Sequence, residues 1–467
     1  MTYLIETYGC QMNKAESSAL ETIFRERGWA AAPTGGEAAA EAPTEADIVV
    51  INTCSVRQTA ENRAWGRIDL FAAIKRDRAS KGLSGPVLVV TGCMAERLKA
   101  EIKERQPAVD YVVGTFQKQA FGLLLDAVEG EAKGGRRAPL ELEESPSFVF
   151  ASSYHEPGSF RSFLPIMHGC DNFCAYCIVP YIRGREVSRS PSSILAEIDA
   201  LEVSGVREVT LLGQNVNSYD WPGSPGASEA ADRDSLGFPA LLRLISSSLR
   251  AKGRGGIRWI RFLTSHPKDL SDEVIAVLAE DPLYCKHVHL CVQSGSDAIL
   301  AAMNRRYSRD DYLGLVGRMK AAIPGLSLST DLLVGFPGET EEDLERTLDL
   351  MREVGYTYAY MYHFNPRDGT PAASMAGRVP DKVKQSRLTR VIELQKSLTR
   401  SLMESRVGQV DEVLVESVSR KRKDEVLGRT QRDEMVVFKA PLSSVGSFAR
   451  VRLESLSGNT FRAVEIE

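Results

Sequence analysis

No apolar stretch in these 467 residues reaches the length of a membrane span. The opening MTYLIETYGC has neither the basic nor the apolar region of a secretory signal. Both absences predict a cytoplasmic protein with no membrane partner. Positive charge is not in surplus either: the formal net charge is −4. General attraction to nucleic acid is therefore excluded, and any RNA-binding surface has to be a local patch. Cysteine is sparse, eight in all, and in a reducing compartment such thiols are candidates for metal or catalysis before disulfides. What remains is the balance of a globular chain, 43% apolar and 26% charged. It is too long for one core, so two or three domains are expected.

Three of the cysteines stand together. Cys170, Cys174 and Cys177 lie in GCDNFCAYCIVPYIRGRE with spacing C-x3-C-x2-C and no fourth cysteine nearby. Cysteine thiolates hold iron–sulfur clusters, and an electron-transfer cluster takes four. Three leave one iron open to a small chelating ligand. Zinc is the competing reading, but it favours paired ligands and a closed tetrahedral set. The run resembles the cluster motif of the radical S-adenosylmethionine (SAM) enzymes, including the aromatic Tyr176 before the last cysteine. In that superfamily SAM fills the open iron through its amino and carboxylate groups, and one electron splits it to a 5′-deoxyadenosyl radical.

Patterning divides the chain into three regions. Residues 1–120 alternate short β-rich runs (Tyr3–Thr7, Asp47–Asn52, Pro86–Thr91) with helical stretches, the pattern of an open α/β sheet. Ala30–Glu45 reads as a surface loop, and residues 121–160, polar around Glu129–Ser159, as a linker. Residues 161–400 repeat the alternation, with strands expected at Glu208–Leu212, Trp259–Leu263, His287–Val292, Ser327–Val334 and Tyr358–Phe364. With the run at Phe163–His168 they make six strands in βα order, a partial (β/α)6 barrel with its chemistry at the strands' carboxyl ends. Trp221–Gly256 reads as an exposed excursion. Residues 401–467 turn to short strands broken by turns, a small OB-like β-barrel, in which the basic run Arg420–Lys423 could touch phosphate or simply be solvated.

Cys10, Cys54 and Cys93 are remote in sequence but equivalent in place. TYGCQMN, INTCSV and VTGCMAE each put a cysteine just beyond a strand's carboxyl end. In an open α/β sheet those ends share one edge, so three loops can bring three thiolates together as a second cluster site. Gly9 and Gly92 would let the backbone approach it. Any one such cysteine is more economically a small core residue; Cys285 and Cys291 show no ligand spacing, and Cys291, inside an apolar strand, is read as core.

With both sets in hand, the whole chain resembles the tRNA methylthiotransferases of the MiaB type. The resemblance rests on YGCQMN, INTCSVRQTAENR, GCMAER, GCDNFCAYCIVPYIRGRE, TLLGQNVNSY, TSHP, QSGSD, MNRRY and TDLLVGFPGET, and the tail with GRT at Gly428–Thr430 resembles a TRAM domain. The RimO type, which acts on a ribosomal protein, usually has Pro-Lys after the first cysteine, where this chain has Gln11 and Met12. The MtaB type lacks the run Gly213–Tyr219. Cys291 departs from the family, which commonly has proline there.

The resemblance implies two 4Fe–4S clusters, one on Cys170, Cys174 and Cys177 and one on Cys10, Cys54 and Cys93, with SAM as radical source and methyl donor. It implies methylthiolation at C2 of N6-isopentenyladenosine in a tRNA anticodon stem-loop. It also implies an electron donor such as flavodoxin or ferredoxin, and a monomer. Tyr176, Gln214, Asn215, Gln293, Ser294 and Asp331 are the candidate SAM contacts, each with a structural role as the alternative. His266 is a candidate lining residue or proton carrier, or a hydrogen-bonded loop histidine. Arg183, Arg185, Arg189, Arg305 and Arg306 are candidate phosphate or base contacts around the mouth.

Overall fold

The computed structural model describes residues 1–32, 46–55, 58–132, 148–151, 155–156, 158–253, 255–420 and 422–466. The chain forms two compact units. One comprises Met1–Glu156, Phe163–Asp171 and Ile178–Arg189, the other Pro157–Ser162, Asn172–Cys177 and Ser190–Glu467.

In the first unit β1 (Thr2–Tyr8), α1 (Gln11–Glu26), β2 (Ala30–Ala31), β3 (Ile48–Thr53), α2 (Gln58–Ser80), β4 (Val87–Gly92), α3 (Cys93–Arg97), α4 (Lys99–Arg105), β5 (Tyr111–Val113) and α5 (Phe121–Ala132) follow one another. The strands pair in parallel in the order β2-β1-β3-β4-β5, a doubly wound arrangement whose order reverses beside β1. Strand alternation divides the core. Val49, Ile51, Leu88 and Val90 pack with Trp65, Ile68 and Phe71 of α2. Ile48, Val50, Val87 and Val89 face the other way, onto Leu20 and Phe24 of α1 and Phe121, Leu124 and Leu125 of α5. This corrects the linker reading from residue 121: Phe121, Leu124, Leu125 and Val128 recur at helical spacing and are buried. Of the stretch read as a loop after Ala30, Ala30–Ala31 pairs with β1, Ala32 is buried, and residues 33–45 lie outside the described residues. So do 133–147 of the expected linker.

Next come β6 (Arg161–Pro165), β7 (Met167–His168), α6 (Val179–Arg183), β8 (Val187–Ser188), α7 (Pro191–Val203), β9 (Glu208–Leu212), β10 (Asp220–Trp221), β11 (Leu236–Gly237), α8 (Phe238–Lys252), β12 (Trp259–Phe262), α9 (Asp272–Glu280), β13 (His287–His289), α10 (Asp297–Ala302), α11 (Arg309–Ala322), β14 (Ser327–Val334), α12 (Glu341–Val354), β15 (Tyr358–His363) and α13 (Asp381–Glu404). In the second unit β9 pairs in parallel with β12, and β13 with β14 and β14 with β15. Single parallel bridges, Ile260 with Tyr284 and Ser265 with Leu290, carry the wall from β12 toward β13. The expected excursion at Trp221–Gly256 needs correction, because α8 within it buries Phe238, Leu241, Leu242, Ile245 and Leu249. It is a barrel helix hidden in a polar surround.

The tail strands β16 (Val410–Val418), β17 (Glu425–Thr430), β18 (Met435–Lys439), β19 (Phe448–Ser457) and β20 (Thr460–Glu465) close a five-stranded barrel in the order β16-β17-β18-β20-β19. It belongs to the same compact unit as the parallel strands. Buried Arg261 of β12 explains part of that: it pairs with Glu208 at 2.9 Å and donates to the carbonyls of Thr430 and Gln431 at 2.7 and 3.0 Å.

Candidate metal and cofactor site

In the first unit the strand-end Cys54 bonds Cys10, and Cys10 and Cys93 are near enough to interact electrostatically. Cys10 is the N-cap of α1, and its N–H and thiol both donate to Asn13 Oδ1, at 3.3 and 3.4 Å. Asn13 in turn donates to Asn52 Oδ1 at 3.1 Å, and Asn52 donates to the Asn13 carbonyl and to Ser17 Oγ, both at 2.9 Å. Two buried amides thus tie the loop after β1 to the end of β3. Gly92, at φ +92°, places β4 against them: a Cβ there would lie 2.4 Å from Asn52 Oδ1.

A hydrogen bond from Cys54, with the nearby Arg183 guanidinium, lowers the Cys10 thiol to about 6 against the cost of burial. Cys93 is fully enclosed, and burial pushes its thiol up, although Arg183 Nε donates to its Sγ at 3.2 Å. Arg183 Nη1 pairs with Glu16 at 2.8 Å, both side chains being buried. The three thiols do not converge as a mononuclear site would require. Among the described residues the only His, Cys and carboxylate trio whose ligand atoms all come within 4.8 Å of one another is His289, Cys291 and Asp331. A three-thiol edge, wider than one ion and faced by a guanidinium, fits an anionic cluster better than zinc.

The second set begins at the end of β7. The Cys170 N–H donates to the Gly184 carbonyl at 3.2 Å. Gly169 has φ +80°, and a Cβ on it would fall 1.9 Å from the Arg185 carbonyl oxygen, so only glycine fits this turn. Cys174 and Cys177 belong to the second unit, where the Cys177 N–H donates to the Cys174 carbonyl at 2.9 Å. Arg305 Nη1 donates to Cys174 Sγ at 3.2 Å and to the Tyr176 hydroxyl at 3.5 Å. Its other groups reach the Tyr307 hydroxyl, at 3.0 Å, and the Cys291 carbonyl. The Tyr176 ring packs on Ile299, Met303, Phe336 and Phe364, and burial holds its hydroxyl firmly protonated.

The remaining candidates divide. Gln293 is buried at φ +71°, a strained conformation for a residue with a side chain. It is pinned there because its N–H donates to the Asp331 carbonyl and its own carbonyl accepts from Leu333, both at 2.9 Å. Ser294 Oγ bonds Thr347 Oγ1 at 3.4 Å and accepts from the Ser296 N–H at 3.2 Å. Gln214 follows β9 and is half-buried. The buried Asn215 amide donates to Asp269 at 2.7 Å and accepts from the His266 N–H at 3.1 Å. Those bonds hold the TSHP loop. His266 is buried, and its Nδ1 accepts from the Lys268 N–H at 3.2 Å. Burial, then the charges of Arg305, Lys268 and Arg306, push its imidazole down to about 2, which removes it as a proton carrier near neutrality.

The arginine reading also needs correction. Arg183, Arg189 and Arg305 are buried and serve internal thiols, carboxylates and carbonyls rather than an RNA mouth. Arg185, which pairs with Asp171 at 3.2 Å, and Arg306 remain exposed. In the tail, Lys421 lies outside the described residues, and Arg422 pairs with Glu425 at 3.2 Å. Sequence reading missed Asn13, Asn52 and Glu16. All three lie in or beside the quoted cysteine motifs, where a buried polar residue next to a metal-ligand candidate was the available signal.

Comparisons with known proteins follow this geometry. The profile of the Radical SAM superfamily matches residues 164–351, that of Uncharacterized protein family UPF0004 residues 2–114, and that of the TRAM domain residues 404–464. The tRNA-2-methylthio-N(6)-dimethylallyladenosine synthase of Treponema pallidum (strain Nichols) is 47% identical, across 99% of this chain and 98% of its own. Its namesake from Carboxydothermus hydrogenoformans is 40% identical, across 97% and 96%. The chain belongs to this methylthiotransferase family. Among solved structures, the radical SAM methyltransferase TsrM from Kitasatospora setae superposes with TM-score 0.57 at 16% identity, covering 80% of this chain and 77% of TsrM. At that identity the likeness concerns the fold alone. Within the family, the two cysteine sets fall one in each of the first two profile matches: Cys10, Cys54 and Cys93 inside residues 2–114, and Cys170, Cys174 and Cys177 inside residues 164–351.

Proposed function

We propose that this chain is a radical SAM tRNA methylthiotransferase that places a methylthio group at C2 of N6-isopentenyladenosine beside the tRNA anticodon. The observation that carries the reading is the presence of two three-cysteine sets in a full-length member of this family, each with its own buried arginine. Cys170, Cys174 and Cys177 would hold the cluster that binds SAM, and Cys10, Cys54 and Cys93 the cluster associated with sulfur. Bound there, these groups supply a carbon radical able to take the unactivated C2 hydrogen atom, together with sulfur and a methyl group, chemistry no side chain offers.

The chain's own residues prepare those positions. Arg183 lies beside Cys93 and Cys10, where its charge favours their thiolates. Arg305 donates to Cys174 and fixes the Tyr176 hydroxyl beside it. Tyr176, Gln214, Gln293 and Ser294 are proposed to surround SAM, with Gln293 presented by its strained backbone, whereas the Asp331 carboxylate is turned to Cys291 and His289. Residues 1–132 would serve as the sulfur-cluster domain, 161–400 as the radical domain and 401–467 as the RNA-binding domain. For the last, β19 alternates buried Ala449, Val451 and Leu453 with exposed Arg450 and Arg452, two outward cations that could meet phosphates, bordered by Glu412 opposite Arg450 and by Glu454. No helix among the described residues is long and apolar enough to cross a membrane. A cytoplasmic monomer served by a flavodoxin- or ferredoxin-like donor completes the proposal.

The test uses anaerobically reconstituted protein, a strong reductant, SAM, and tRNA with or without isopentenylated adenosine, followed by mass spectrometry of the digested nucleosides. A methylthio adduct confined to the isopentenylated tRNA is expected. Formation of 5′-deoxyadenosine with no adduct on either tRNA would reject the substrate and direct the same assay to ribosomal protein.

A further inference from the structure

Outside the six cysteines discussed so far, one cluster of ligating side chains remains. Cys291 Sγ lies 3.2 Å from His289 Nε2 and 3.3 Å from Asp331 Oδ2, and those two atoms are 3.5 Å apart. Around a tetrahedral zinc ion, with bonds of roughly 2.0–2.3 Å to sulfur, nitrogen and oxygen, neighbouring ligand atoms sit roughly 3.3–3.6 Å apart. The three atoms therefore already stand close to the edges of one face of such a tetrahedron. We infer that His289, Cys291 and Asp331 form a mononuclear site for a thiophilic divalent cation of the zinc class, with three protein ligands and an open fourth position.

The surroundings suit that role. His289 Nδ1 is bonded to Ser329 Oγ at 2.9 Å, and the same hydroxyl bonds His287 Nε2 at 2.9 Å. A ligating histidine ordinarily gives its other ring N–H to such a partner, which fixes the tautomer that leaves Nε2 a lone pair. The ligands stand on two paired strands: His289 is in register with Ser329, and the Gln293 N–H donates to the Asp331 carbonyl at 2.9 Å. Backbone pairing therefore holds the donor atoms in place without a metal. His289 and Cys291 are buried, whereas the Asp331 side chain is 27% exposed and offers the route of entry. The donor set of one thiolate, one imidazole and one carboxylate suits zinc, or cobalt in its place, and is poor for magnesium or calcium, which take oxygen. Binding would displace the Cys291 thiol proton to solvent, so that thiolate and carboxylate together balance the ion's charge. The site is separate from the cluster cysteines, although Arg305 touches both the Cys291 carbonyl and Cys174 Sγ.

The experiment uses cluster-loaded full-length protein equilibrated with buffered free zinc, desalted, and assayed for zinc and iron together. One zinc per chain beyond the iron is expected, and Cys291→Ala should retain roughly a tenth of it or less with iron unchanged. A wild-type protein that takes no zinc, or a Cys291→Ala protein that takes as much, overturns the assignment. Zinc-edge X-ray absorption of the loaded wild type decides the matter should the variant fail to fold. One sulfur with nitrogen and oxygen neighbours is expected. Several sulfurs would place the zinc on the cluster cysteines and reject the site.

Discussion

Two buried arginines do comparable work in the two units by different means. Arg183 in the first unit meets Cys93 and is neutralised by Glu16, so its guanidinium and carboxylate form an enclosed ion pair. Arg305 in the second unit meets Cys174 and has, among the described residues, no carboxylate partner; tyrosine hydroxyls and a backbone carbonyl take its remaining donors. Glu16 thus offsets charge at the first site before any cluster binds. The second site holds a buried cation whose natural counterions are the cluster's thiolates, and its empty form should be the costlier one.

The largest effect that would break this comparison comes from the pair. Arg183→Met removes the cation paired with the buried Glu16 carboxylate, and the first unit should lose about 3–5 kcal/mol. Adding Glu16→Gln should recover much of that, as read by denaturant unfolding. If the double variant is no better than the single, the ion pair is not what Arg183 supplies.

Acid sharpens the contrast next. Burial holds His287 of the second unit neutral, down to about 4 from its ordinary value. A histidine depressed on folding takes its proton earlier in the unfolded chain. Its stabilisation is therefore complete above pH 6.5 and is lost as the pH falls from 6.5 toward 4, by up to about 3 kcal/mol. In His287→Phe, which keeps a ring beside Tyr358, the slope of thermal stability across that window should flatten. An unchanged slope assigns the acid sensitivity elsewhere.

Arg305→Met is a smaller change in the apo protein, about 1–3 kcal/mol for the acceptors left unpaired. It should nevertheless lower iron retention at the second site more than its stability cost suggests, measured as iron per chain after gel filtration. Last, and confined to one turn, is Gly169→Ala, which adds to roughly 1–3 kcal/mol of positive-φ strain a Cβ 1.9 Å from the Arg185 carbonyl oxygen, so that the turn has to shift. Its readout is SAM cleavage, which should fall sharply because Cys170 is displaced while the fold persists by circular dichroism.

How far the sequence could be read follows from which forces are local. The strands at Glu208–Leu212 and Ser327–Val334 were legible to the residue, because apolar runs bounded by turns are a local signal. The nearness of Cys10 to Cys54 and Cys93 was legible because strand ends in a parallel sheet share an edge. Helix α8 was not, since serines and charges fill its outer face and Gly-rich segments flank it. The arginines were misassigned for a related reason: Arg183 and Arg305 lie close in sequence to exposed Arg185 and Arg306, and only tertiary packing separates a buried cation from a solvated one. The loop-holding bonds of Asn215 were not legible, because a polar residue at a strand end looks the same whether it holds a loop or a ligand. The tail's outward arginines were hidden by position. Arg450 and Arg452 of FARVRLESL gain meaning once β19 is known to lie in a closed barrel with Ala449, Val451 and Leu453 inward.

The central claim is that the two cysteine sets have separate chemical duties, and one pair of variants tests it most directly. Cys10, Cys54 and Cys93 are changed together to alanine in one protein, and Cys170, Cys174 and Cys177 in the other. Each is reconstituted and assayed with SAM, reductant and isopentenylated tRNA, with 5′-deoxyadenosine and the methylthio adduct measured separately. The account predicts that the first variant, holding roughly half the iron, still releases 5′-deoxyadenosine but forms no adduct, and that the second does neither. Adduct formation by the first variant, or 5′-deoxyadenosine from the second, would contradict it.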